Sequence, residues 1–144
     1  MIERAKKSDL NSISVLMNDV FESHMQEAYT QKGRENFRAL LKLEMLVERF
    51  DNNSDFFIYR KNNEIEGVLE LESGFHIAFL FVNYQGKGIG TALCKKLIDG
   101  DNDLISVAAF PESISFYKKL GFSSVDEKRV VDGMPFVLMI KQSV

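Results

Sequence analysis

The run FHIAFLFV, residues 75–82, constrains this chain more than any other stretch. A nearly continuous apolar segment of that length suits a β-strand covered on both faces. It passes through Asn83 and Tyr84 into QGKGIG, residues 85–90, and then into TALCKKLI. In that last segment Leu93, Cys94, Leu97 and Ile98 recur at helical spacing. The local order is strand, glycine-rich turn, helix, which places the chain in the α/β or α+β class.

The flanking sequence supports this reading. Leu10, Ile13, Leu16, Met17 and Val20 predict a first helix, with Ser8 and Asp9 offering its cap. A second helix is expected from Arg34 to Phe50, ended by DNNSD. The period then shortens. DFFIYR and EIEGVLELES read as strands joined at Asn62 and Asn63, residues that tolerate left-handed turns. DLISVAAF is another buried strand. Pro111 opens a short helix closed by Gly121. SSVDEKRVV and FVLMIK, joined by DGMP, form a terminal hairpin. The expected order is β-α-α-β-β-β-α-β-α-β-β, with a mixed, mostly antiparallel sheet flanked by helices. One domain over residues 1–144 accommodates it.

Composition narrows the function classes. The net charge of −3 gives no general electrostatic case for nucleic acid. No apolar run approaches the ~20 residues of a membrane span. The opening MIERAKKSDL lacks the apolar segment of a secretion signal, so a cytoplasmic protein is expected. The single cysteine, Cys94, sits in an apolar helical pattern and reads as a buried structural thiol. No metal-ligand spacing is present, and His24 lacks a partner at useful distance.

A helix start carries unpaired N–H groups and partial positive charge. Glycines there remove side chains that would block an anion. Lys87 adds charge at the rim, and Gln85 adds a neutral hydrogen-bonding group. The segment therefore reads as a cradle for a pyrophosphate. It is not a Walker loop, and Thr91 stands where a dinucleotide fingerprint would need glycine.

Gln85-Gly86-Lys87-Gly88-Ile89-Gly90 resembles the Q/R-x-x-G-x-G/A signature of the GNAT superfamily of N-acetyltransferases. Phe116-Tyr117-Lys118-Lys119-Leu120-Gly121-Phe122 resembles that family's FYxKLGF motif. The resemblance spans essentially the whole chain and implies transfer of an acetyl group from acetyl-CoA (coenzyme A) to a primary amine. It implies that backbone at Leu80, Phe81 and Val82 pairs with the pantetheine arm. It implies that amides from Gln85, Gly86, Lys87, Gly88, Ile89, Gly90 and Thr91 hold the pyrophosphate. Tyr117 then matches the family's general acid, which protonates the departing thiolate.

For the base that deprotonates the amine, Glu70, Glu72, His76 and water are all candidates. The sequence departs from the family pattern in two places. Only Asn83 and Tyr84 link the strand to the loop. Phe110 stands seven residues before Tyr117, where relatives often carry asparagine, with Ser113 at the usual small alanine. The acceptor side is expected to include His24, Tyr29, Lys32, Arg34, Arg129 and Met134, with no dominant charge. A small-molecule or peptide amine fits; nucleic acid and membrane partners are not expected. Strand edges near the C-terminus leave a homodimer open. The rival readings are a non-catalytic acyl-CoA-binding sensor or partner subunit, and a nucleotide-binding domain of another class.

Overall fold

The computed structural model describes residues 1–25, 27, 29–100 and 102–142. The chain runs β1 (Ile2–Arg4), α1 (Leu10–Val20), α2 (Gln31–Leu40), α3 (Leu43–Asn52), β2 (Ser54–Lys61), β3 (Glu64–Glu72) and β4 (His76–Val82). It continues through α4 (Ile89–Ile98), β5 (Leu104–Ala109), α5 (Ile114–Lys119), β6 (Ser123–Ser124), β7 (Arg129–Val131) and β8 (Met134–Gln142). One sheet carries the order β1-β2-β3-β4-β5-β8-β6, with β7 paired to β8. β4 and β5 are parallel, and the other described pairs are antiparallel. The mixed, mostly antiparallel sheet expected from the sequence is present.

Local chemistry sets the turns. Asn62 and Asn63 take φ of 53° and 65° between β2 and β3, and Asp132 and Gly133 take 53° and 77° between β7 and β8. Two successive left-handed residues match the twist of a tight hairpin. Gly121, at φ 97°, ends α5. Phe122 N–H reaches the Tyr117 carbonyl at 3.0 Å and Gly121 N–H the Lys118 carbonyl at 3.0 Å. This is a Schellman closure, which satisfies two end carbonyls.

The long helix expected over Arg34–Phe50 is two helices, because α1 intrudes on its backbone. Ser14 Oγ donates to the Leu41 carbonyl at 2.6 Å and Asn18 Nδ2 donates to it at 3.2 Å. That carbonyl is thereby removed from the helical ladder. Lys42 turns extended (φ −68°, ψ 146°), and Met45 N–H bonds the Lys42 carbonyl instead, starting α3. Three smaller differences concern element ends. α1 continues into a π-helical turn over Phe21–Met25. α4 begins at Ile89, two residues before the expected Thr91. SSVDEKRVV forms only the short β6 and β7.

Side chains pack on both faces of the sheet. One core joins α1, α2 and α3 to Phe56, Ile58, Val68, Phe79 and Phe81. The other joins α4 and α5 to Leu69, Ile77, Ile105, Val107 and Met139. Strand β4 is covered on both faces, as its apolar run predicts.

Candidate active site

The central feature is a strand pair that parts. β4 and β5 pair only at His76 with Ser106 and at Ile77 with Val107. Beyond those residues the two strands carry no described pairing. A bulge at Ala78 coincides with the split: Leu71 faces Ile77, but Glu70 faces Phe79. The bulge changes the side each residue presents. Ile77 packs in the α4/α5 core, whereas Phe79 and Phe81, of the same parity, pack in the other.

Main-chain direction switches with the side chains. The Phe75 carbonyl accepts from Ser106 N–H of β5 at 3.0 Å, while Asn83 N–H donates to Glu66 of β3 at 2.9 Å. Strand groups alternate sides with a period of two. Counting back from Asn83, Phe81 and Phe79 direct their N–H and C=O toward β3. Leu80 and Val82 direct theirs into the gap that β5 has vacated. Of the three strand residues singled out in the sequence, Leu80 and Val82 offer free backbone and Phe81 does not.

The glycine turn lies at the open end of the gap. Gly86 and Gly88 both have φ of 76°, with no atom within 4 Å of where a side chain would begin. Gly88 is the N-cap of α4 and supplies no side-chain cap. The first N–H groups of α4 are therefore free of intrahelical partners, and Gly88, Ile89, Gly90 and Thr91 line the cleft. Gly67 lets α4 approach the sheet: a Cβ there would sit 2.6 Å from Ile89 Cγ2. Lys87 is exposed and does not line the cleft.

The gap and turn open into one cleft of about 370 Å³. Its walls include Leu80, Phe81, Val82, Gln85, Gly86, Gly88, Ile89, Gly90 and Thr91 from the donor side. Tyr117 also lines it. Its ring packs edge-on against Phe116 and Phe122. Burial, and then the neighbouring Cys94, push its phenol well above the usual value of 10.0. Tyr117 therefore keeps its proton at neutral pH. The Cys94 thiol is itself pushed up to about 12 by burial, which fits an inert structural thiol.

The candidate bases fare differently. Glu70 is fully buried, and its carboxylate is consumed. Arg49 donates from Nε at 2.7 Å and from Nη2 at 3.2 Å, and Ser54 Oγ donates at 2.8 Å. A carboxylate held by a bidentate guanidinium away from the cleft is a structural ion pair, so Glu70 is removed as a base. Glu72 is exposed, and neither it nor His76 lines the cleft. His76 Nδ1 lies 2.7 Å from Ser106 Oγ across the paired part of β4 and β5. Burial lowers its pKa from 6.5, opposed by Glu72.

The structure brings other residues to the cleft. Phe110 stacks on Phe79, tilts against Phe37, meets Tyr29 edge-on and forms the cleft's apolar floor where the strands part. His24, expected on the acceptor side, reaches it from the π-helical turn, and Glu112 reaches it from the turn after β5. The Tyr29 hydroxyl donates to Glu112 Oε1 at 3.2 Å. The signal available for Glu112 was its place just beyond the C-terminal end of a parallel strand, where α/β sheets bind ligands.

The sheet thus opens at its one described parallel pair, with bare helix-start amides at the mouth. The model of the acetyltransferase (GNAT) domain matches residues 25–143, and the chain belongs to that family. Solved structures share the fold at low identity. A GCN5-related N-acetyltransferase from Rhodopseudomonas palustris aligns with TM-score 0.83 and 18% identity, covering 99% of this chain and 95% of that one. The PaiA N-acetyltransferase from Thermoplasma acidophilum, solved with coenzyme A, gives 0.77 and 19%, covering 99% and 98%. A ribosomal-protein-alanine N-acetyltransferase from Brucella melitensis gives 0.67 and 20%, covering 99% of each. No curated protein matches the sequence. Among the described residues no helix is long and apolar enough to cross a membrane.

Proposed function

We propose that this acyltransferase moves an acetyl group from acetyl-coenzyme A to a primary amine by direct attack. The observation that carries the reading is the parting of β4 from β5 after Ile77 and Val107, with the open glycine turn at the end of the gap. The residues present fit such a donor. Leu80 and Val82 offer backbone N–H and C=O to an amide-bearing arm, as an added strand would use them. The amides of residues 85–91 suit a diphosphate, which needs close backbone approach and positive potential. The coenzyme A held by the Thermoplasma neighbour supports the same donor class. When bound, the thioester supplies an activated acyl group.

The chain's own residues supply the remainder. Phe79, Phe81 and Phe110 exclude water from the floor of the cleft. Tyr117 holds a proton on Oη that a departing thiolate requires. Neither Glu70 nor Glu72, nor His76, is placed to take the amine's proton. A water chain leading out of the cleft takes that proton in their place.

Incubation with acetyl-coenzyme A and a panel of primary amines, followed by free-thiol assay, tests the proposal. Thiol release dependent on an amine is expected, with Tyr117→Phe lowering kcat about 100-fold. Coenzyme A binding with no release on any amine would instead favour a non-catalytic acyl-coenzyme A sensor.

A further inference from the structure

The cleft has a distinctive balance of charge. Among the described residues that line the cleft, Glu112 is the sole lysine, arginine, aspartate or glutamate, and His24 is the sole histidine. The surrounding wall is apolar: Val20, Met25, Phe79, Phe81 and Phe110. Behind that wall, Phe37 touches the rings of Phe21, Tyr29, Phe79, Phe81 and Phe110, so the apolar surface is rigidly backed.

Glu112 is also oriented. Tyr29 is 4% exposed, and its hydroxyl donates to Oε1, tying a residue just before α2 to the turn after β5. That bond uses one lone pair of one oxygen. A carboxylate offers about four acceptor positions, so capacity remains for a charged donor. Burial and the charge of Glu112 raise the Tyr29 phenol above its usual range, so this hydroxyl stays a donor.

We infer that Glu112, positioned by Tyr29, binds the ammonium of the acceptor, and that the acceptor is a monoamine with an apolar or aromatic body. This rests on the transferase reading and adds a substrate class to it. One carboxylate beside an aromatic wall matches one cation on an apolar stem, with the ring faces adding cation–π attraction. A polyamine or aminoglycoside would bring several cations to a cleft with a single opposing charge. An acidic acceptor would be repelled.

The test is calorimetric titration of the protein, with and without coenzyme A, using phenethylamine as the probe. The neutral isostere 2-phenylethanol and the polyamine spermidine serve as comparators. Phenethylamine is expected to bind about tenfold more tightly than either, the size of a partly solvated charge-assisted contact. Glu112→Gln should abolish the preference for phenethylamine over 2-phenylethanol. Tyr29→Phe should weaken phenethylamine severalfold while keeping that preference. Equal binding of phenethylamine and 2-phenylethanol to the native protein overturns the inference. So does spermidine binding as tightly as phenethylamine, or a Glu112→Gln protein with unchanged preference. A native protein that fails to bind coenzyme A refutes the transferase reading separately, and the amine titrations still report on Glu112.

Discussion

Glu70 and Arg49 show how one contact reassigns a residue. A glutamate on a strand beside a cleft is a natural base candidate until its partners are known. Arg49 also donates to the Leu40 carbonyl at 2.9 Å and lies 5.3 Å from the Phe79 ring centre, so the pair joins α2, α3 and β3. Removing one member of a buried pair strands the other charge, at a cost of about 3–5 kcal/mol. Arg49→Met should therefore lose that much in urea unfolding, and the double change Arg49→Met with Glu70→Met should recover most of it. A Glu70→Gln protein that kept its stability but lost turnover would restore the catalytic role. Nothing in the order of residues 49 and 70 announces the pairing, because they meet only once α3 lies across the sheet.

At the level of elements, the β7–β8 hairpin is locked onto the start of α2. Thr30 Oγ caps α2 by accepting from Gly33 N–H at 3.1 Å. Asn36 Nδ2 donates to the Asp132 carbonyl at 2.8 Å. Gly33 has no room for a side chain: a Cβ there would overlap the Gly133 carbonyl oxygen and stand 2.8 Å from its carbon. An interior helical glycine replaced by alanine ordinarily gains about 1 kcal/mol. Here overlap with backbone outweighs that gain, and Gly33→Ala should cost about 1–3 kcal/mol, read as a lower Tm. A higher Tm would show that the hairpin is not held there. The expected single helix over Arg34–Phe50 fails for a related reason. Its apolar periodicity is real, but Ser14 and Asn18 of another helix compete for the carbonyl at Leu41.

Across the whole molecule, the parted sheet ties ligand binding to stability. Helices on both faces of the sheet pack against β4 on either side of the gap. A ligand that binds only the folded state adds about 2.7 kcal/mol at one hundred times its Kd. For a chain of this size that corresponds to a rise in Tm of about 5–10 °C. Coenzyme A should produce such a shift, whereas ATP and NAD should produce none. Gly88→Val should lose the shift while remaining folded, because the space around Gly88 is open but its φ of 76° disfavours a branched residue and the side chain would cover the amides. A full coenzyme A shift in that variant would separate the glycine turn from donor binding.

By itself the sequence determined the features governed by near neighbours. Strand and helix periods, the left-handed turns at Asn62–Asn63 and Asp132–Gly133, the Gly121 closure and the bare glycine turn all follow from stereochemistry within a few residues. Tertiary structure alone decided where β4 leaves β5 and which strand amides face the gap. It also decided that α2 breaks from α3, that Glu70 belongs to Arg49, and that Tyr29 meets Glu112 across 83 residues. The physical reason is range: dihedral preference and apolar spacing act along the chain, whereas a buried polar group takes its partner from whatever segment the packed core brings within hydrogen-bond reach.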